Sequence, residues 1–304
     1  MKKILIIKEY GRLTNQLWLY ISVYAFCLEK GYVCDNLAFY EYRKYFPNVK
    51  TNNLIVKFFI EKLGILTGLR SKKSVRKVMY KIYYRYLKQR HKKRVIKSQK
   101  NITYLSPTKE AGEVARKIKE HDTLFFDGWL FRNPDGIEKY REEIRKKFKP
   151  EDEVSRGLDR KMSSLRKKYD KIIGVHIRQG DYRHWQNGKH YFSPTFFNKV
   201  LESFKKKLDS QDVCFLICSD EPLRESDFPN INSLFNSGNL IEDLFALSRT
   251  DLIIGSNSTF GAFASYYGDI PFKVVKGEFP KEINWEYYLN KGYFENKGST
   301  VVKY

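Results

Sequence analysis

Short apolar runs alternating with longer amphipathic stretches organise this sequence. Runs at 3–8, 32–37, 123–126, 172–177, 213–218, 251–255 and 272–275 predict strands. Several are apolar almost throughout, the pattern of strands buried on both faces of a parallel sheet. Helices are predicted over 16–30, 137–148, 193–208, 240–248 and from Thr259 through Tyr267. Asn15 is placed as the cap of the first helix and Gly31 as its stop, and Ser193-Pro194 opens the third. The alternation of strand and helix implies an α/β fold with parallel strands and right-handed crossovers. Pro150 and the polar residues up to about Asp170 read as a domain crossing, which predicts one domain over 1–155 and a second over 156–304. No internal repeat interrupts this order.

The length of 304 residues suits two domains, and a hydrophobic content of 42% is ample for two cores. Met1-Lys2-Lys3 precedes only four apolar residues, Ile4 to Ile7. That is too short for the apolar centre of a signal peptide, and no stretch is long enough to span a bilayer. Cys27, Cys34, Cys214 and Cys218 fit no zinc spacing and agree with a reducing compartment. The expected location is cytoplasmic, either free or peripheral on the inner face of the membrane.

The formal net charge is +22, of which residues 57–100 carry +15, from sixteen Lys and Arg against the single acid Glu61. Within this basic insert Val75, Val78, Met79, Ile82, Tyr83 and Tyr86 recur at helical spacing. Arg76, Lys77, Lys81, Arg85 and Lys88 take much of the remaining circumference. Three readings fit: a plain amphipathic helix with a solvated cationic face, a contact with an anionic membrane surface, or a nucleic-acid contact. The last ranks lowest, because no nucleic-acid module signature accompanies the charge.

The chemistry concentrates on Ile172 to Tyr182. Along a strand His176 and Arg178 project to one face and Val175 and Ile177 to the other. Gly180 then turns the chain, and Asp181 sits just past the strand's carboxyl end, the edge at which α/β sheets bind ligands. The fixed fork of Arg178 suits phosphate oxygens, although a solvated Arg–Asp pair is an equal reading. Ser256-Asn257-Ser258-Thr259 lies between a strand's carboxyl end and a helix's amino end. Amides, helix dipole and hydroxyls there form an anion site, or the side chains simply cap the helix. No Asp-x-Asp occurs in the sequence. The pair that commonly holds a divalent ion on a diphosphate is therefore lacking, which fits neutralisation by Arg178 and helix amides without metal. Glu9, Asp127 and Asp181 are carboxylates at predicted strand ends, and spacing alone does not select a general base among them.

His176-Ile177-Arg178-Gln179-Gly180-Asp181-Tyr182 resembles the His-x-Arg-Arg-x-Asp motif of the α-1,2-fucosyltransferases. Three further segments resemble the same family in the same order. They are Gly11-Arg12-Leu13-Thr14-Asn15-Gln16-Leu17, the stretch from Gly128-Trp129-Leu130-Phe131 to Tyr140–Arg145, and Ser256-Asn257-Ser258-Thr259-Phe260. The resemblance implies a GT-B-type fold, two Rossmann-like domains facing across a cleft, with the basic insert in the first, acceptor-side domain. It implies inverting transfer of L-fucose from GDP-β-L-fucose to a glycan or lipid-linked oligosaccharide hydroxyl, through an α-1,2 linkage and without metal. Arg178 with Ser256–Thr259 would hold the donor diphosphate, and Arg178 and Asp181 would carry the catalytic role. Phe260 would pack near the nucleotide and Asp220 would accept from the guanine N1 and N2 donors. His176 would bond ribose or base, unless it is a buried histidine satisfied by backbone. Arg12 and Asn15 would lie on the cleft's acceptor side. Gln179 stands where the family has a second Arg. It falls on the opposite face from Arg178, which predicts a structural role. A transferase for another nucleotide sugar, and a non-catalytic basic binding protein on the same fold, are the competing readings.

Overall fold

A computed structural model describes residues 1–62, 72–100, 102–105, 112–206, 208, 212–236 and 238–275. The chain divides into two compact units, Met1–Lys149 and a second beginning at Pro150. The division precedes the predicted break at residue 155 because the polar stretch after Pro150 is itself helical.

In the N-terminal unit the order is β1 (Lys3–Ile6), α1 (Leu13–Lys30), β2 (Val33–Asn36), a π-helical turn (Ile55–Lys62) and α2 (Lys72–Arg90). There follow β3 (Val95–Ser98), β4 (Thr103–Tyr104), α3 (Gly112–Glu120), β5 (Thr123–Gly128), β6 (Phe131–Arg132), α4 (Pro134–Lys139) and α5 (Arg141–Lys147). The main sheet runs β2-β1-β5-β3, all parallel, with β4 and β6 pairing apart from it. Helix α1 starts at Leu13, earlier than Asn15 would allow as a cap. Arg12 is its N-cap and Asn15 lies inside the first turn. Leu13 and Leu17 are fully buried, so packing of the first turn fixes the start. Gly31 ends the helix at φ 65°, ψ 33°, the left-handed conformation that only glycine adopts without strain. The single helix expected over 137–148 is two short ones broken at Tyr140, which takes φ −106°, ψ 30°. Asn133 opens the first of them by accepting from Gly136 N at 3.1 Å, with Pro134 at its amino end.

The basic insert is helical over α2, and its residues 63–71 lie outside the described residues. Tyr80 and Leu87 are buried against Leu5, Ile7, Val56 and Phe125, with Met79, Tyr83 and Tyr84 half-buried beside them. Val78, Ile82 and Tyr86 face solvent. The apolar positions read as one stripe thus divide between two sides of the helix.

The C-terminal unit opens with α6 (Asp152–Arg166), which buries Ser155, Leu158, Met162 and Leu165. It continues with β7 (Lys171–Ile177), α7 (Pro194–Lys205), β8 (Val213–Ser219), β9 (Ser233–Phe235) and α8 (Leu240–Leu247). It ends, among the described residues, with β10 (Leu252–Gly255), α9 (Thr259–Gly268) and β11 (Phe272–Val274). Residues 276–304 of the predicted second domain lie outside the description. The sheet order is β11-β10-β7-β8-β9, all parallel. Ile173, Val175 and Ile177 point into a core built with Phe197, Leu201, Phe204 and Phe215, as the strand alternation requires. Both units are α/β with parallel sheets. Strand β9 and the short pair β4–β6 had no apolar signature. Among the described residues no helix is long and apolar enough to cross a membrane.

Candidate functional site

In the order β11-β10-β7-β8-β9 the chain starts at the central strand, builds to one side and then returns to build the other. The reversal falls between β7 and β10, and the crevice outside the carboxyl ends of two such strands is where open α/β sheets bind ligands. Arg178 follows β7 there, and Ser256 follows β10. Arg178 N donates to Ser256 Oγ at 3.0 Å, and Ser256 N donates to the His176 carbonyl at 2.9 Å. The approach is close because Gly255 has no side chain. A Cβ on it would stand 2.7 Å from the His176 carbonyl oxygen.

The Arg178 side chain is held from two sides. Asp181 accepts from Nε at 3.0 Å and from Nη2 at 2.9 Å, a two-point grip on one edge of the guanidinium. The guanidinium also lies over the Tyr182 ring, 5.0 Å from its centroid. Tyr182 in turn donates its hydroxyl to the Asn257 carbonyl at 2.7 Å, tying the β7 loop to the β10 loop. Sequence reasoning gave Tyr182 no role, since nothing in its spacing shows that it reaches a residue in another loop. The Arg–Asp pair read from the sequence therefore exists, and it sits at the switch point.

Asp220, at the end of β8, accepts from Gln179 N at 2.7 Å and from Gly180 N at 3.4 Å. One carboxylate oxygen thus braces the two amides that follow Arg178. Gln179 is buried, and its Nε2 donates to the Phe192 carbonyl at 3.1 Å, away from the switch point. Its Oε1 accepts from Arg183, whose Nη2 also donates to Glu221 at 2.6 Å.

His176 is 5% exposed, and its ring stacks on Phe260 with centroids 4.9 Å apart. Burial, reinforced by the Arg178 charge and opposed by Asp220, pulls its pKa down to about 3. The imidazole is neutral at physiological pH, and its Nδ1 is buried without a hydrogen-bond partner among the described residues. A backbone-satisfied histidine is not what the structure holds. Ser258 caps α9, its Oγ accepting from Phe260 N at 3.0 Å. The amino end of α9, with its partial positive charge, is therefore aimed from the same edge that carries Arg178. Ser256 and Ser258 act here as acceptors for backbone amides, and both are buried. Thr259 opens the helix itself, and Asn257 supplies the carbonyl bound by Tyr182.

The other predicted residues belong to the N-terminal unit. Its sheet reverses between β1 and β5, where Tyr10 stacks on Trp129 at 5.6 Å. Arg12 and Asn15 are exposed at the start of α1, just past the carboxyl end of β1. Gly11 holds φ 63° there, and Gln16 Nε2 donates back to its carbonyl at 3.3 Å. Glu9 accepts from the Tyr40 hydroxyl at 3.3 Å. Asp127 is fully buried, paired with Lys88 at 2.8 Å and accepting from Tyr84 and Gln99. A carboxylate so enclosed is structural, which removes Asp127 from the candidates for a general base.

Among the described residues no cluster of three or more His, Cys, Asp or Glu is placed to hold a metal ion. The four cysteines are free thiols. No curated protein matches the sequence. Among solved structures, a point mutant of Arabidopsis thaliana FUT1 in complex with GDP matches at TM-score 0.54 and 15% identity, over 91% of this chain and 71% of that one. The NodZ α-1,6-fucosyltransferase soaked with GDP-fucose matches at TM-score 0.54 and 13% identity, over 91% and 97%. POFUT1 in complex with GDP-fucose matches at TM-score 0.52 and 13% identity, over 91% and 98%. At these identities the likeness is one of fold. The model of glycosyl transferase family 11 matches residues 11–270, from the loop that opens α1 to the turn that precedes β11, and with that span the chain belongs to glycosyl transferase family 11.

Proposed function

We propose that this protein transfers L-fucose from GDP-β-L-fucose to a sugar hydroxyl of a glycan or lipid-linked oligosaccharide, with inversion and an α-1,2 linkage. The observation that carries the reading is the convergence of Arg178, Ser256 and the α9 amino end at one strand switch point. The similar folds solved with GDP or GDP-fucose support the choice of donor. In the reaction the acceptor oxygen forms a bond to fucose C1 as the bond from C1 to the β-phosphate oxygen breaks. GDP leaves with the electron pair, and the acceptor proton passes to a base. Arg178 meets the charge that develops on the leaving diphosphate. Asp181 grips its Nε–Nη2 edge and so turns the Nη1 side toward the ligand. The charge is met by preorganised donors, which need no metal. His176 and Phe260, whose rings stack, take the nucleoside side, where the neutral His176 imidazole would bond ribose or base. Asp220 braces the loop between them, and Arg12 and Asn15 serve the acceptor. We place the activity in the cytoplasm, either free or peripheral on the inner face of the membrane.

The test is a thermal-shift panel of GDP, UDP, ADP and CMP followed by product analysis. A ligand bound only by the folded state raises the melting temperature. GDP alone should do so, and GDP-fucose with a galactoside-ended glycan should give an α-1,2-linked product. A response to another nucleotide, or transfer of mannose from GDP-mannose with no transfer of fucose, sinks the donor assignment. An α-1,6 product sinks the linkage alone.

A further inference from the structure

The solvent side of α2 carries two parallel rows of side chains. Val78, Ile82 and Tyr86 follow each other at four-residue intervals, and so do Lys77, Lys81 and Arg85 in the row beside them. Residues four apart stack along one side of a helix. All six of these side chains are exposed, although the opposite side of the helix is packed into the core. The apolar row continues past the helix. Tyr86 stacks on Tyr83 at 6.3 Å, and the Tyr83 hydroxyl accepts from Asn53 Nδ2 at 2.8 Å. Asn53 leads through Leu54 into the π-helical turn, and Leu54, Ile55 and Phe58 also face solvent. These three and the apolar row of α2 are 41% to 65% exposed, and they are six of the ten large apolar side chains exposed among the described residues. Single exposed apolar residues are ordinary, but a concentration of this kind marks a contact surface.

The cationic row opens into a groove of about 610 Å³ lined by Arg85, Lys88, Lys92, Lys97 and Lys117. Glu113 is the sole carboxylate on its walls and pairs with Lys117 at 3.0 Å. Lys88 is committed to Asp127 at 2.8 Å. Among the described residues no carboxylate pairs with Arg85, Lys92 or Lys97.

We propose that α2 and the adjoining π-helical turn form a docking surface for an anionic lipid bilayer. The apolar row enters the interface, and the groove and cation row hold lipid phosphates. Charge complementarity selects this occupant. A second copy of the chain would bring the same local +15 against itself. A soluble polyanion or RNA would engage the cations and leave Val78, Ile82 and the π-helical turn in water. This inference is independent of the transferase reading.

The experiment is flotation of the full-length protein with phosphatidylcholine vesicles, with or without phosphatidylserine, at low and physiological salt. The protein should float with the phosphatidylserine vesicles, less so as salt rises, and remain behind with phosphatidylcholine alone. A triple Val78→Ser, Ile82→Ser, Tyr86→Ser variant should lose roughly tenfold or more in partitioning. A triple Lys77→Gln, Lys81→Gln, Arg85→Gln variant should lose about fivefold for each charge. Both sets face solvent, so melting temperatures should stay at the native value. Any of four results would overturn the inference. These are equal binding to neutral vesicles, native binding by the serine variant, no flotation of folded protein at low salt, and a native dimer that the serine variant dissolves.

Discussion

Arg178 is positioned before any ligand arrives, by a two-point grip from Asp181 and by the face of Tyr182. In the proposed reaction a guanidinium held in this way would be preorganised for charge that appears only as GDP departs. Arg178→Ala should therefore lower kcat/KM by roughly 10² to 10³, the scale seen when one such donor is removed. Arg178→Lys should recover only part, since a point charge replaces a fork that Asp181 and a diphosphate can share. Initial rates with GDP-fucose check this, with melting temperature as a control for folding. Near-native rates from a well-folded Arg178→Ala would remove the centre of the mechanism. His176 makes a second prediction. Its pKa in the folded protein, about 3, lies below the ordinary value near 6.5. The unfolded chain therefore takes up the proton first as pH falls. The stability tied to a neutral His176 is complete above about pH 6.5, and about 2 kcal/mol of it is gone by about pH 5. His91 and His190 are also lowered by burial and act in the same direction. His176→Gln should shallow the fall in melting temperature between about pH 7 and pH 5 without abolishing it. An unchanged slope would mean that the imidazole is not buried neutral.

At the scale of elements, the switch point is a set of loops from different strands that hold one another. Asp220 at the end of β8 fixes two amides of the loop after β7, and Tyr182 from that loop fixes the loop after β10. An amide bonded to a carboxylate contributes more than one bonded to a neutral acceptor. Asp220→Ala should cost about 2 kcal/mol of unfolding free energy by urea titration. It should also raise KM for the donor, because Gln179 and Gly180 lose the partner that shapes the Arg178 loop. Asp220→Asn keeps one acceptor oxygen for these amides and should restore most of the stability. If Asp220→Ala unfolds at the native urea concentration, the carboxylate does not brace the loop.

At the scale of the whole molecule, the positive charge divides into two kinds. The insert carries +15 of the net +22, with Lys77, Lys81 and Arg85 on the exposed side of α2, and Arg178 is built into the switch point of the C-terminal sheet. The second kind bears on metal. In the proposed reaction the diphosphate is neutralised by Arg178 and the α9 amino end, so transfer rates should persist in EDTA. Loss of activity in EDTA, with recovery on adding Mn²⁺ or Mg²⁺, would show that a metal shares the task.

The sequence by itself determined what local chemistry decides. Apolar runs marked the central strands, Gly31 the end of α1, and Ser193 and Ser258 the starts of their helices, because each signal lies within a few residues of its effect. Alternation along β7 placed His176 and Val175 on opposite faces, and it gave buried Gln179 a structural role. What it did not reveal depends on partners distant in the chain. Asn15 has the chemistry of a cap, yet burial of Leu13 set the start of α1 three residues earlier. The apolar positions of α2 have helical spacing, but spacing does not say which of them meet Val56 and Phe125 and which meet water. Asp220 reads as a carboxylate at a strand end. Only the pairing of β7 with β8 brings it to Gln179 N. The strand order, which makes the ends of β7 and β10 a switch point, belongs to tertiary structure alone. Periodicity fixes the face a residue takes on its own element, and only packing of the whole chain decides what that face meets.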